Sequence, residues 1–274
     1  MPELPEVEVC RLGISPHIEG QTVKKVTVRH KQLRWPIPEE VLLLNGLTVL
    51  SVKRRSKYLL IEFTTGTLVL HLGMSGTIRV IDEHTPVAKH DHFDLAFTHG
   101  KVLRLNDPRR FGAVLWLADH QDEQGLFTRL GPEPLNDAFS SGYLFEKAQN
   151  KRVAIKSFLM NNHVVVGVGN IYANEALFLA GISPLTIAGN VSRQHFDQLT
   201  EIIKQVLSAA IEQGGTTLKD FTQADGRPGY FAQQLLVYGR SGKPCVNCQT
   251  TLQEVRQSNR SSVFCPQCQP AVSA

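Results

Sequence analysis

Two pairs of closely spaced cysteines near the C-terminus constrain the fold of this chain more than any other feature. Cys245 and Cys248 are separated by two residues, and Cys265 and Cys268 repeat that spacing after a gap of 16 residues. This spacing is typical of a zinc ribbon, in which two turns each supply two thiolates to one ion. Disulfide bonds are the alternative, and they are rare in the cytosol. The pattern predicts a hairpin held by one structural Zn²⁺, whose four protein ligands leave no open position for catalysis.

Composition and charge place the rest of the chain among ordinary globular proteins. Its 274 residues are enough for two domains, and 42% of them are hydrophobic. No apolar run approaches the roughly 20 residues that span a bilayer, and the first residues do not resemble a secretory signal. We therefore expect a cytoplasmic protein without membrane contact, and a monomer. The net charge of +4 permits a polyanionic partner, and four separate clusters of Lys and Arg favour phosphate contacts.

The order of sequence patterns predicts a β domain followed by a helical one. Eight short runs, β-branched or alternating, are separated by turn signals, which indicates a sandwich or barrel. Gly131–Pro134 is the best candidate for a linker, and helical periodicity follows it. The predicted strands are Thr22–Arg29, Leu47–Lys53, Tyr58–Phe63, Thr67–Leu72, Gly76–Ile81, His92–Phe97, Lys101–Asn106 and Gly112–Leu117, and the predicted later helices are Ser141–Gln149, Ala154–Asn161, Gly169–Ala180 and Ser192–Gln213.

The N-terminus contains a candidate nucleophile. Pro2 is small enough for Met1 to be removed, which leaves a secondary amine. An α-amino group titrates near pH 7.7–8.0, about 2.5 units below a lysine side chain, so part of it is unprotonated at neutral pH. Such an amine condenses with an aldehyde to an iminium, and Glu3 beside it is a candidate acid/base. The alternative is purely structural, with Pro5 opening a helix that Gly20 ends, and the two interpretations are compatible.

Several further motifs are spread along the chain, at Pro2–Glu8, Arg55–Leu59, His71–Gly76, Lys89–His92, Asp107–Gly112, Val166–Tyr172 and Tyr238–Arg240. Together with the cysteine spacing, they resemble those of formamidopyrimidine-DNA glycosylases along essentially the whole chain.

The resemblance implies a multi-domain α+β fold. Its parts are an N-terminal β-sandwich with flanking helices, and a helix–two-turns–helix domain ending in a β-hairpin zinc ribbon. The corresponding domains are 1–131, a linker with the first helix at 132–150, the helical domain at 151–224, and 225–274 with the end of the lesion loop and the zinc ribbon.

The resemblance also implies a reaction and assigns residues to it. Pro2 corresponds to the nucleophile that attacks the sugar C1′ and expels an oxidised purine, and Glu3 to its acid/base partner. Lys57 matches the proton donor for β-elimination, and Arg260 the residue associated with δ-elimination. The implied partner is double-stranded DNA that contains oxidised purines or abasic sites. Beyond the structural zinc, no cofactor is expected in this chemistry.

Further positions match residues that hold the DNA and fill the gap left by an everted base. Met74, Arg109 and Phe111 correspond to the intercalating residues, although an isolated Met or Phe is more often a core residue. Thr217–Tyr230 matches the loop that senses the oxidised base. The positions that match DNA contacts are His71, His90, Arg109, Lys151, Asn170 and Tyr238.

Two other functions compete with this interpretation. An endonuclease VIII-like relative would act on oxidised pyrimidines, but such relatives typically carry Gly where this chain has Leu4. A zinc-ribbon protein without catalytic activity would only bind DNA through its basic clusters. The first alternative differs in substrate alone, whereas the second predicts that Pro2 and Glu3 are dispensable.

Overall fold

The computed structural model describes residues 2–122, 125–216 and 234–270, and the chain divides into two compact units. The first unit ends at Thr128 and also includes the segment that begins at Gln213, and the second contains Arg129–Glu212 and the C-terminal segment. The predicted lesion loop Thr217–Tyr230 lies outside the described residues. The four-part division expected from the sequence stays a prediction.

The first unit is a β-sandwich with one helix against its core. Helix α1, Leu4–Ile18, contains a proline in its first turn, which suits a position where the backbone N–H has no helical partner. The core contains residues of α1 and of both sheets. The sheets have strand orders β1-β6-β7-β5 and β2-β3-β4-β8, all antiparallel. The strands are β1 Val23–Val28, β2 Ser51–Arg55, β3 Tyr58–Phe63, β4 Gly66–His71, β5 Thr77–Asp82, β6 Asp91–Phe97, β7 Lys101–Asn106 and β8 Ala113–Ala118, with a 3₁₀ helix at Glu39–Leu44.

All eight predicted strands are present, but the second begins later than the sequence indicates. The prediction was Leu47–Lys53, whereas β2 spans Ser51–Arg55. Thr48 instead forms an isolated bridge with Thr22, and Val49 donates to the carbonyl of Gln21. The prediction was wrong there because an extended apolar run has the same pattern whichever strand it pairs with.

The second unit consists of helices followed by a two-stranded hairpin. Its long helix α5 buries an apolar stripe that includes Phe196, Leu199 and Ile203. None of the helices in the described ranges has both the length and the apolar character needed to cross a membrane. The elements are α2 Ser141–Ala148, α3 Ile155–Leu159, α4 Asn170–Leu179, α5 Arg193–Glu212, and the hairpin strands β9 Gln253–Gln257 and β10 Arg260–Phe264.

Candidate active site and zinc centre

Pro2 and Glu3 are buried immediately before the first residue of α1. Glu3 is only 2% exposed, and its backbone N–H donates to Oε2 of Glu6 at 2.9 Å. The other carboxylate oxygen of Glu6 accepts from the backbone N–H and the hydroxyl of Thr216, at 3.0 and 2.9 Å. Gly215 lies so close that a Cβ there would be 3.3 Å from this oxygen. Glu6 therefore fixes the residue next to the candidate nucleophile, a role that the sequence did not reveal.

Replacing Glu6 by glutamine is expected to slow the reaction at the N-terminus. Glutamine has the same size, but only one of its two terminal atoms is an acceptor. Its NH₂ group therefore faces the N–H of either Glu3 or Thr216, and that buried donor is left unpaired. We expect unfolding free energy to fall by about 1–3 kcal/mol and single-turnover excision to slow about tenfold. The matched control is Glu40→Gln, an exposed carboxylate. Wild-type excision by Glu6→Gln would refute the positioning role.

Lys57 and His71 lie at neighbouring strand ends in the first unit. Lys57 follows Ser56, which has φ of 55°, in the turn before β3, and Tyr58 pairs with His71 at the end of β4. Burial, together with the charges of Lys57 and Arg34, lowers the pKa of His71 to about 4. His71 is therefore neutral at physiological pH. Its Nδ1 accepts from the N–H of Gly73 at 3.0 Å, which leaves Nε2 as a hydrogen-bond donor.

Met74, Arg109 and Phe111 lie on two loops that pack against each other. Met74 and Phe111 are 36% and 46% exposed, so neither is a core residue. The Arg109 guanidinium carbon lies 4.8 Å from the Phe111 ring centroid. A Cβ at Gly73, where φ is +63°, would be 2.4 Å from the backbone carbon of Phe111, so only glycine permits this approach. The structure thus brings together the three residues that the sequence grouped.

A buried carboxylate connects the same two loops. Asp107 accepts from the Ser75 hydroxyl at 3.0 Å and from the Gly112 N–H at 2.8 Å. Its backbone N–H donates to the carbonyl of His90, and its own carbonyl lies 3.0 Å from Nε2 of His92. Asp107 therefore fixes both loops and positions the half-buried His90 beside them. Asp107 belongs to one of the motifs that carry the family resemblance, but nothing in the sequence indicated that its side chain connects the two loops.

The basic run Lys53–Arg55, which precedes Lys57, is partly neutralised by carboxylates. Lys53 forms an ion pair with Glu62 at 2.7 Å, and Arg54 forms one with Glu8 at 2.8 Å. These ion pairs hold Lys53 and Arg54 against carboxylates of the first unit. Fewer positive charges of this run are therefore available to a polyanionic partner than a count of its Lys and Arg residues suggests.

In the second unit, two of the predicted DNA contacts lie at or near the end of a helix, and the third lies in a turn. Lys151 is exposed after α2, and Asn170 is the first residue of α4. The buried Oδ1 of Asn170 has no hydrogen-bond partner among the described residues. Tyr238 is half-buried, and the carboxylate of Glu175 accepts from its N–H at 2.8 Å and from the two preceding N–H groups. Glu175 is a further positioning residue that sequence reasoning missed, although an acid in an apolar helix was a usable signal.

Arg260 begins the second strand of the hairpin and is exposed. Lys156 of α3, only 1% exposed, donates to the Ser261 carbonyl at 2.5 Å and to the Ser262 hydroxyl at 2.7 Å. Asn174 accepts from the N–H of Val263 at 2.8 Å, so α3 and α4 together hold the strand that carries Arg260. Arg256 lies within β9 and is not part of the turn. The turn consists of Ser258 and Asn259, because their positive φ values close the hairpin.

The four predicted cysteines converge at the base of this hairpin. Their sulfur atoms all lie within 4.8 Å of one another, and three of the separations are 3.4, 3.5 and 3.9 Å. A tetrahedron with Zn–S distances near 2.3 Å has edges of about 3.8 Å, so the arrangement fits one zinc ion. These distances exclude disulfide bonds. The fifth cysteine, Cys10, is buried alone in α1, and burial raises its pKa to about 12, which leaves it unreactive.

Comparison with known protein families covers most of the chain. Residues 1–114 match the formamidopyrimidine-DNA glycosylase N-terminal domain, and residues 130–222 match the H2TH domain of the same family. Residues 242–271 match a zinc finger found in FPG and IleRS. The last match contains all four cysteines, which supports a structural zinc site.

Individual relatives agree with these matches. The chain is 72% identical to the formamidopyrimidine-DNA glycosylase of Colwellia psychrerythraea over 98% of this chain and 99% of the relative. It is also similar to wild-type Lactococcus lactis Fpg in complex with N7-benzyl-Fapy-dG DNA, with a TM-score of 0.91, 32% identity, and coverage of 98% and 100%. A complex of Lactococcus lactis Fpg with abasic-site DNA has a TM-score of 0.89 at 30% identity, covering 98% of this chain and 99% of that one.

Proposed function

Since the chain belongs to the formamidopyrimidine-DNA glycosylase family of DNA repair enzymes, we propose that it excises oxidised purines from double-stranded DNA and then cleaves the strand. The substrates are 8-oxoguanine, formamidopyrimidines and abasic sites, and the enzyme acts as a monomer in the bacterial cytoplasm. The observation that carries this proposal is the buried Pro2–Glu3 pair, fixed by Glu6 at the start of α1.

The proposed reaction begins with the amine of Pro2. Its lone pair attacks C1′, the bond from C1′ to the base breaks, and the base leaves with the bonding electrons. Glu3 moves protons during this step, and an iminium joins Pro2 to the opened sugar. Loss of a C2′ proton then expels the 3′ phosphate by β-elimination, and δ-elimination expels the 5′ phosphate. We assign Lys57 to the first elimination as proton donor and Arg260 to the second.

No cofactor enters these steps. Cys245, Cys248, Cys265 and Cys268 would hold the zinc ion, which supplies folding energy to the hairpin and leaves no position for substrate.

We propose that Met74, Arg109 and Phe111 occupy the gap that an everted base leaves in the duplex. Turning a base out costs a few kcal/mol, and apolar side chains that insert between base pairs offset this cost. The exposure of Met74 and Phe111 supports the assignment, since a solvent-exposed apolar side chain gains from burial in the stack. Arg109, held over Phe111, adds hydrogen-bond donors for the unpaired base.

Phosphate contacts are assigned to His71, His90, Lys151, Asn170 and Tyr238, and the cationic contact of Lys151 predicts a salt dependence. Each phosphate that a Lys or Arg side chain neutralises contributes about −0.9 to the slope of log K against log salt. We expect Lys151→Gln to reduce the magnitude of that slope by about 0.9, because the exposed ammonium is lost. The control is Lys24→Gln, since that lysine is paired with Glu83 at 2.9 Å. Fluorescence anisotropy over a salt series measures both slopes, and equal slopes for the two variants would remove Lys151 from the contacts.

Borohydride trapping on a duplex with one 8-oxoguanine opposite cytosine tests the proposed function. We expect a covalent protein–DNA band, because borohydride reduces the iminium on Pro2. A band only on a thymine-glycol duplex would assign the protein to the pyrimidine-selective relatives. Tight binding without a band on either duplex would leave a DNA-binding protein without this chemistry.

A further inference from the structure

The turn that carries Arg109 includes a residue in a costly backbone conformation. Arg110, which is bonded to both Arg109 and Phe111, has φ of +56°, and its N–H closes the turn on the carbonyl of Asp107 at 3.2 Å. A residue with a Cβ adopts this left-handed conformation only where surrounding contacts stabilise it. Any group that holds Arg110 therefore also holds the two neighbouring side chains.

A histidine outside every motif contacts this arginine. Nη1 of Arg110 lies 2.8 Å from Nε2 of His30, in the segment that follows β1. Arg110 only donates hydrogen bonds, so the imidazole must accept, and it accepts only when it is neutral. The segment also binds the end of the loop directly, because the N–H of Arg34 donates to the carbonyl of Gly112 at 3.0 Å.

The imidazole of His30 is surrounded by hydrogen-bond donors and cations. Its Nδ1 lies 3.2 Å from the N–H of Gln32, so both ring nitrogens face donors, and one tautomer satisfies only one of them. Its ring packs edge-on against His92, at 5.3 Å between centroids, and Arg29 and Lys31 flank it along the chain. The carboxylates of this region are engaged elsewhere, and His90 lies beyond His92. The engaged carboxylates are Asp94, with Arg29 and Arg104, and Asp107, with Ser75 and Gly112.

We infer that His30 is a positioning residue for the intercalating loop: its Nε2 accepts from Arg110, which holds Arg110 and thereby orients Arg109 and Phe111. The inference rests on the proposed intercalating role of Arg109 and Phe111. It adds to that role a residue that lies outside the two loops.

The test measures how strongly the protein prefers a base gap over intact DNA. The quantity is the Kd for an undamaged duplex divided by the Kd for a duplex with a tetrahydrofuran abasic analogue opposite cytosine. General attraction between protein charge and phosphate affects both constants, so it cancels in the ratio. We expect His30→Leu to lower this ratio about fivefold relative to the wild type, as for loss of one charge-assisted hydrogen bond.

Three further variants separate the contact from a general loss of stability. In His30→Gln the amide oxygen can accept from Arg110, so the ratio should stay near the wild-type value. Adding Arg110→Gln to His30→Leu should lower the ratio no further. The control His84→Gln, whose parent side chain is 92% exposed, should behave like the wild type.

The outcomes distinguish this inference from the proposed function. A wild-type ratio in His30→Leu, or a ratio in His30→Gln as low as that in His30→Leu, would overturn the role of His30 alone. A wild-type protein that does not distinguish the abasic duplex from intact DNA and gives no borohydride band would overturn the proposed function instead.

Discussion

Pro2→Gly is expected to abolish nearly all base excision and trapping, with a fall in single-turnover rate of at least ~10³-fold. The variant retains an N-terminal amine, but the secondary amine that forms the charged iminium is gone, and glycine lacks the pyrrolidine ring that fixes the position of the terminal nitrogen. An insertion after Met1 that prevents its removal should have as large an effect, because an amide nitrogen is not nucleophilic. DNA affinity should change little in both proteins, since the phosphate contacts remain.

The measurement combines single-turnover excision of 8-oxoguanine with the yield of borohydride-trapped complex. Pro86→Gly is the matched control, because that proline is exposed in the loop between β5 and β6. Mass spectrometry of each protein establishes whether Met1 is present. Full lyase activity in a protein that retains Met1 would exclude Pro2 as the nucleophile.

Removal of the zinc ion is the second large effect that we expect. Binding of zinc to four thiolates supplies about 10–16 kcal/mol in zinc-finger peptides, so Cys248→Ala should unfold the hairpin of β9 and β10. Arg260 then loses its position, and we expect δ-elimination products to disappear and DNA affinity to fall at least about tenfold. The sandwich of the first unit has its own core and should stay folded, with its β signal in circular dichroism retained.

Metal content and function should be measured on the same samples. Cys10→Ala is the matched cysteine control, because Cys10 is buried in α1 and takes no part in the four-sulfur cluster. It should retain one zinc per chain and wild-type product distribution, with some loss of stability from the cavity. Unchanged DNA affinity in Cys248→Ala after verified loss of zinc would refute the role of the ribbon in binding.

The elements of this fold were predictable where a local pattern reports burial. The stripe of α5 and the alternation of β3 record which side of each element faces the core, and neighbouring residues alone produce them. The cysteine spacing is equally local, because each pair of ligands lies on one turn. Family resemblance placed Met74, Arg109 and Phe111 together, and the two packed loops explain why they meet.

Other features depend on contacts between residues that are distant in sequence. Glu6 and Thr216 are separated by 210 positions, Lys156 and Ser261 by 105, and His30 and Arg110 by 80. No periodicity relates such pairs. The predicted start of β2 was wrong for the same reason. Thr48 pairs with Thr22, and the apolar pattern of residues 47–53 does not indicate which segment they pair with.

The sequence by itself determined the β-then-helix order, the zinc ligands and the family, because each depends on residue types at short fixed spacings. Only the tertiary structure decided which buried polar groups hold the candidate site residues: Glu6 for the N-terminus, Asp107 for the loops of Met74 and Phe111, and Lys156 for the hairpin. A buried charge is stable only with partners, and the folded chain supplies them from distant segments. Sequence patterns identify the side chains with reactive chemistry, whereas packing decides how they are held.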